Sequence, residues 1–278
     1  MSPSATHISH VIIGAGAFGA AAALSLAAAD PSASIILIDR TPYPCTLAAS
    51  HDYQKAVRAD YGTKFYMDLG LKARAEWLGN PLYSQFYHPS KIIFIEKPGG
   101  AEHMVENFRQ LGYTSCYAST PENFRENHPL FNDMDLSGAS SLYVNPDAAW
   151  VEATPCIRAM IDAAVKLGVE YLEAAISKLL FNDEGDCMGV QLVGGKRIIA
   201  TKTILAAGAN VPKILADSAP HRPELQTGNR LSGAAVMTGV VKLIQEHVMR
   251  LKDMPIVAHR VAKPSGKSRL ATSTLSAY

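Results

Sequence analysis

The sequence predicts an α/β fold, and two stretches predict it. In the first, 10–13 is a short apolar run fit for a buried strand. Gly14-Ala15-Gly16-Ala17-Phe18-Gly19 follows at once, then the Ala-rich 20–29, then a second buried run, 34–38, that ends in Asp39. The order is strand, glycine turn, helix, strand, acid. In the second stretch, 203–209, an apolar strand runs into the small-residue turn Ala206-Ala207-Gly208, and a short helix starts at Val211.

Each part of the first stretch has a physical role in holding a dinucleotide. Gly14 allows the tight turn, Gly16 lets a diphosphate approach the backbone, and Gly19 lets helix and strand pack closely. The free N–H groups at the helix start, with the positive end of its dipole, hold that diphosphate. Asp39, about twenty residues past the last glycine, stands where a carboxylate accepts hydrogen bonds from the adenosine ribose. FAD and NAD proteins share this pattern. Arg40 opens the possibility of a 2′-phosphate, but Asp39 would repel it, which favours a strand-end arginine touching adenine or solvent.

Composition narrows the partners. A formal net charge of +1, with 18% charged residues, gives no electrostatic reason to expect nucleic acid or an anionic membrane. The uncharged run 11–29 is broken by glycines, is mostly alanine and has no Lys or Arg before it, so it reads as neither a membrane span nor a secretory leader. Cys45, Cys116, Cys156 and Cys187 are far apart with no C-x-x-C pair, so buried free thiols in a reduced compartment are expected. The nine histidines are scattered, and no metal site is expected.

Along the chain, 41–44 breaks the structure and 45–60 is irregular and polar. A helix is expected over 63–78 and a strand over 91–96. A helix over 101–111 precedes one opened by Thr120 as N-cap with Pro121 in the first turn. A strand is expected over 139–144. Thr154-Pro155 reads as a second cap-plus-proline start of a helix that runs to Lys166 and stops at Gly168. Strands follow at 169–172 and 175–181, then a hairpin of 187–193 with 197–200. Past Ala219 a strand near 234–239 and a helix after it are expected. The Ser/Thr-rich 262–278 reads as a disordered tail. Within it Gly266-Lys267-Ser268 lacks the first glycine of a phosphate loop and is attributed to chance.

These pieces together resemble the FAD-dependent amine and amino-acid oxidases of the monomeric sarcosine oxidase, pipecolate oxidase and fructosyl-amino-acid oxidase group. The resemblance runs from about residue 8 to about 258. It rests on VIIGAGAFGAAAALSL with ILIDR, on SHDYQKAVRADY (50–61), on NPDAAWVEATPCIRAM (145–160) and on TILAAGAN (203–210). The second of these is the most specific. Asn210 departs from the family's pattern, which has Trp there.

The resemblance implies a glutathione-reductase-type, Rossmann-like FAD domain interleaved with an incomplete α+β substrate domain. By it, 1–90 and 145–220 are FAD-domain pieces, and 91–144 with 221–261 belong to the substrate layer. It places Ala17 and Phe18 at the diphosphate, Asp39 and Arg40 at the adenosine, and Ile176 at the adenine end. Ala206, Ala207 and Gly208 would line the cofactor, and Ser50, His51 and Lys55 would approach the flavin. Lys55 and His51 are the catalytic candidates, Lys55 because an ammonium stabilises the negative charge of reduced flavin. The bare residues also allow a surface lysine and a histidine that only satisfies a loop. Asp52 and Asp60 read as structural or solvated carboxylates.

The implied reaction oxidises the C–N bond of a secondary amine or amino acid, with oxygen as final acceptor and hydrogen peroxide as product. An NAD(P)-dependent dehydrogenase and a non-catalytic FAD-binding remnant are the alternatives. Family members are longer, so the chain reads as C-terminally truncated, and little or no oxidase activity is expected of it alone. It ends Ser276-Ala277-Tyr278, not a peroxisomal tripeptide, and the cytoplasm is the expected location.

Overall fold

The computed structural model describes residues 7–234 and 239–260, together with the backbone of 271–273. The chain forms two compact units, each drawn from two stretches: Met1–Tyr53 with Ala153–Thr238, and Gln54–Glu152 with Gly239–Tyr278. The division expected from sequence falls at 90 and 144. The compact units part at 53 and 152, so 54–90 fold with 91–144.

The chain opens in the first unit with β1 (Ile8–Ile13), α1 (Ala17–Ala29) and β2 (Ile35–Asp39). In the second unit it makes β3 (Gln54–Val57), α2 (Lys64–Gly79), α3 (Pro81–Ser84), β4 (Tyr87–Pro89), β5 (Ile92–Glu96), α4 (Gly100–Gln110), β6 (Tyr117–Ser119), α5 (Pro121–Asn127), β7 (Ser141–Asn145) and β8 (Ala149–Glu152). It returns to the first unit for α6 (Ala153–Lys166), β9 (Glu170–Glu173), β10 (Ile176–Phe181), β11 (Cys187–Leu192), β12 (Arg197–Leu205) and α7 (Val211–Ser218). It ends in the second with α8 (Gln245–Leu251), β13 (Ile256–His259) and β14 (Ala271–Ser273).

The first unit is one six-stranded sheet in the order β10-β11-β12-β1-β2-β9. β12, β1, β2 and β9 run parallel, and β10, β11 and β12 form an antiparallel meander. Alternation along the strands puts Val11, Ile13, Ile36 and Ile38 into one cluster with Leu179, Val190 and Leu192. Ile12 and Leu37, fully buried, serve the opposite face. α1 is mostly alanine, packs on α6 and buries Gly19, Ala20, Ala23 and Ala27. Small side chains there permit close approach of the two helices. The hairpin strand expected at 197–200 and the apolar run at 203 are one nine-residue strand. β12 pairs with β11 along its first half and with β1 along its second, so one strand serves both parts of the sheet.

The second unit holds a five-stranded sheet, β14-β13-β5-β7-β6, and a three-stranded one, β3-β8-β4. The period-2 rule is plain on β5. Ile92 and Phe94 join Tyr143, Ile256 and α4's Met104 and Phe108 in one cluster, while Ile93 and Ile95 join Leu142, Val144, Val257 and Phe124 in the other. The Thr120 hydroxyl accepts from Asn123 N at 3.2 Å, and Pro121 occupies the first turn of α5. That cap contributes about 1 kcal/mol.

Thr154 does not cap α6, which already begins at Ala153. Its hydroxyl instead donates to Asp52 O at 2.8 Å and accepts from Asp52 N at 3.0 Å. The strand expected near 234–239 falls mostly on residues outside those described, as do Gly266-Lys267-Ser268 and most of 262–278. Within that tail the backbone of β14 pairs antiparallel with β13. Cys45, Cys116 and Cys156 are buried, Cys187 is half-buried, and all four are free. No helix among the described residues is long and apolar enough to cross a membrane.

Candidate functional site: the glycine turn at the strand edge

At the C-terminal edge of β1, Gly14 takes φ +101°, which only glycine adopts without strain. A Cβ built on it would stand 2.5 Å from Ala206 O, so the turn after β12 presses directly on the turn after β1. Ala206 N completes the contact by donating to Ile13 O at 2.8 Å. A Cβ on Gly19 would lie 1.7 Å from Gly14 O, so the start of α1 lies on the turn it grows from. The two glycine-bearing stretches predicted separately are thus neighbours.

Gly16 is the N-cap of α1 and offers no side chain to its first-turn donors. Those N–H groups have no intrahelical acceptor, and the positive end of the helix dipole lies with them. Ser50 stands beside them, its Oγ 3.3 Å from where a Gly16 Cβ would be. Phe18, in the first turn, is 87% exposed.

Asp39 is doubly engaged. Its Oδ2 accepts Ala15 N at 2.8 Å and its Oδ1 accepts Arg40 N at 2.7 Å. The acid therefore staples the glycine turn to the end of β2, and each oxygen keeps a second lone pair for a further donor. Glu173 lies opposite Asp39 in register. Arg40 and His51 are exposed. Ile176 opens β10, opposite Leu192, and packs on the same cluster as Ala207.

Two tyrosines fix the loop that follows Arg40. The Tyr171 hydroxyl donates to Thr41 O at 2.6 Å, and Tyr43's bonds Asp162 at 3.0 Å. Burial and the nearby Asp39 charge push the Tyr171 phenol well above its ordinary range. Sequence reasoning missed this pair, whose partners are distant along the chain.

The first unit gathers Gly14, Gly16, Ala17, Phe18, Gly19, Asp39, Arg40, Ser50, His51, Ile176, Ala206, Ala207 and Gly208. Lys55 belongs to the second unit. It sits on β3 opposite Val151 and is exposed, so it is a strand residue in a stretch expected to be irregular. Among the described residues no group of three or more His, Cys, Asp or Glu is placed to hold a metal ion.

The uncapped helix start, the Gly14–Ala206 contact and the fixed acid fit the diphosphate and ribose of a dinucleotide, and they define a dinucleotide-binding α/β protein. Residues 9–256 match the FAD dependent oxidoreductase family, and the chain belongs to that family. It is 28% identical over 265 residues to L-saccharopine oxidase of Schizosaccharomyces pombe, covering 89% of this chain and 59% of that protein. It is 28% identical over 251 residues to an amino acid oxidase of Aspergillus fumigatus, covering 74% and 50%.

The modified fructosyl peptide oxidase from Aspergillus nidulans superposes with a TM-score of 0.64 at 26% identity, over 75% of this chain and 51% of that one. A thermally stable mutant of fructosyl peptide oxidase gives 0.72 at 18% identity, over 91% and 60%, a likeness of fold. The chain thus spans between half and three fifths of the length of these relatives.

Proposed function

We propose that this chain carries the FAD-binding part, and a share of the substrate layer, of an oxidase that acts on the C–N bond of an amine or amino acid. The observation that carries the reading is the N-terminus of α1, left without a side-chain cap at Gly16 beside an acid fixed on Ala15 N. The first-turn N–H groups of α1 would take the diphosphate, Asp39 the adenosine ribose, Arg40 and Ile176 the adenine end, and Ala206 to Gly208 the wall of the cofactor. Ser50, His51 and Lys55 would serve the flavin side.

Bound FAD supplies the electron acceptor for a hydride from the carbon beside nitrogen, and oxygen would take the electrons on as hydrogen peroxide. The Lys55 ammonium would favour the negative charge that develops on that side. L-saccharopine and fructosyl peptides, in the names of similar proteins, support an amino-acid substrate with a substituted nitrogen. The cytoplasm remains the proposed location.

Two measurements test the reading. FAD titrated into the protein should bind and give a flavin absorption spectrum; a protein that binds NADH and not FAD would sink it. In a protein of the relatives' full length, Lys55→Met should slow flavin reduction or reoxidation with the fold intact. Unchanged rates in both half-reactions would remove Lys55 from the site.

A further inference from the structure

Asp60 lies just beyond β3 and is 1% exposed, inside the aromatic cluster of the second unit. Glu96, the other buried acid among the described residues, is ion-paired to Arg260 at 2.8 Å. Asp60 has no such pair among the described residues. Its Oδ1 accepts the Tyr143 hydroxyl and Asn145 Nδ2, the latter at 2.8 Å, while its Oδ2 has no partner. Arg58, whose charge acts on Asp60, donates to Asp60's main-chain carbonyl, and its guanidinium rests 4.6 Å over Tyr61.

Groups from every neighbouring element surround this carboxyl. β7 contributes Tyr143 and Asn145; the loop before β6 contributes Ser115 and Cys116, the Cys116 thiol pushed up to about 11 chiefly by burial. The turn after β7 contributes Asp147, which Arg74 of α2 reaches at 3.2 Å. α4 contributes Ala101, Met104 and Phe108 to the cluster, with Val105 packed against it, all of them apolar. On the far side Gly70 of α2 lies against the segment, since a Cβ there would stand 2.8 Å from Ala59 Cα. Segment 58–61 is therefore held between α2 and β7, and Asp60 is its side-chain bond to β7.

We propose that Asp60 is a proton-operated latch: its neutral carboxyl closes segment 58–61 onto β7, and its ionisation favours release of that segment. The physical reason is the unpartnered Oδ2. A neutral acid seats in apolar surroundings at modest cost, but a carboxylate with one oxygen undonated is penalised there. Burial raises the affinity of Asp60 for its proton, only partly opposed by Tyr143, Asn145 and the Arg58 charge. Linkage then fixes the direction. Any opening that brings Asp60 to water is favoured as the pH rises, up to the value at which the closed form has itself ionised. The latch does not depend on which cofactor the first unit binds.

The test is amide hydrogen exchange of 58–61, corrected for intrinsic rates, followed from acid to neutral pH in the wild type and in Asp60→Asn. Protection in the wild type should fall by about tenfold per pH unit across the transition, the consequence of one proton. In Asp60→Asn, which cannot ionise, that fall should vanish. An identical fall in the variant, or a flat wild type, would overturn the proposal. Should the variant not fold, a carboxyl-carbon NMR titration of the wild type decides. A raised midpoint that coincides with the loss of protection supports the latch, and an ordinary carboxyl midpoint overturns it.

Discussion

The glycine turn of the first unit and the Asp60 cluster of the second leave polar groups unmatched in opposite ways. At the start of α1 the unmatched groups are backbone donors, placed at a strand edge among small side chains. At Asp60 the unmatched group is one oxygen of an acid, sealed under Tyr143, Phe94 and Phe108. An unmatched donor that a ligand can reach is a binding site. An unmatched acceptor that water cannot reach is a charge held at a cost, and it responds to protons rather than to ligands. The contrast teaches that accessibility decides which unmatched group is a site.

The contrast breaks most completely at Gly19. A methyl group there would collide with Gly14 O, 1.7 Å from the new carbon, and that neighbour is backbone, which cannot swing aside as a side chain can. Gly19→Ala should cost several kcal/mol, read as loss of the folded first unit in thermal unfolding or as FAD affinity weakened by more than about a hundredfold. An unchanged melt together with unchanged affinity would mean that α1 can shift along its axis.

Asp39→Ala tests the donor side more gently. It removes the acceptor of Ala15 N and the proposed ribose contact together. A charge-assisted hydrogen bond contributes about 1.5–3 kcal/mol, so FAD should bind roughly ten- to a hundredfold more weakly. Equal affinity for the variant would show that Asp39 serves only the turn.

How much of this was legible in sequence follows from the range of the interactions. The glycine turn, α1, β2 and Thr120 with α5 are written in consecutive residues, and the structure has them within a few residues of their expected places. The three-stranded sheet was not legible. β3, β4 and β8 are three or four residues each, too short to show a period, and pairing across the chain makes them strands. Thr154-Pro155 has the local form of a cap, but the bonds to Asp52, distant in sequence, claim its hydroxyl. The Gly14–Ala206 contact needed the position of β12 beside β1, although both turns are plain in the sequence. Asp60 lies in a polar run and reads as structural or solvated; its burial is imposed by β7 and α2, distant in sequence from each other.

On the second unit's side, Tyr143→Phe keeps the ring stacked on Phe94 (centroids 5.9 Å apart) and deletes one donor to Asp60. Leaving a buried acid with one fewer partner costs about 1–3 kcal/mol. The cost should grow as the pH rises, because the ionised form needs the phenol more than the neutral form does. Denaturant titrations at acid and neutral pH would show it, and a pH-independent loss would mean that Asp60 stays neutral throughout.

The smallest expected effect is that of Asp60→Asn, and its sign depends on pH. The folded-state pKa of Asp60 is raised by burial, the reverse of the usual carboxylate case. Below the ordinary carboxyl range the acid is protonated both folded and unfolded, and its contribution to stability is fully present. As the pH rises from there to the raised folded value, the unfolded chain gives up its proton first, so folding stability falls. Above the folded value the loss is complete and stays constant. Asparagine copies the neutral acid in shape and remains able to accept the Tyr143 hydroxyl. At acid pH the variant should therefore match the wild type to within a few tenths of a kcal/mol, the ordinary scale of a near-isosteric change. Towards neutral pH it should become the more stable of the two, because it has no charge to bury. Melting curves of both proteins across that range measure the difference directly. A wild type that gains stability over the variant as the pH rises would show that Arg58, Tyr143 and Asn145 together outweigh the cost of burial, and that Asp60 is a matched charge after all.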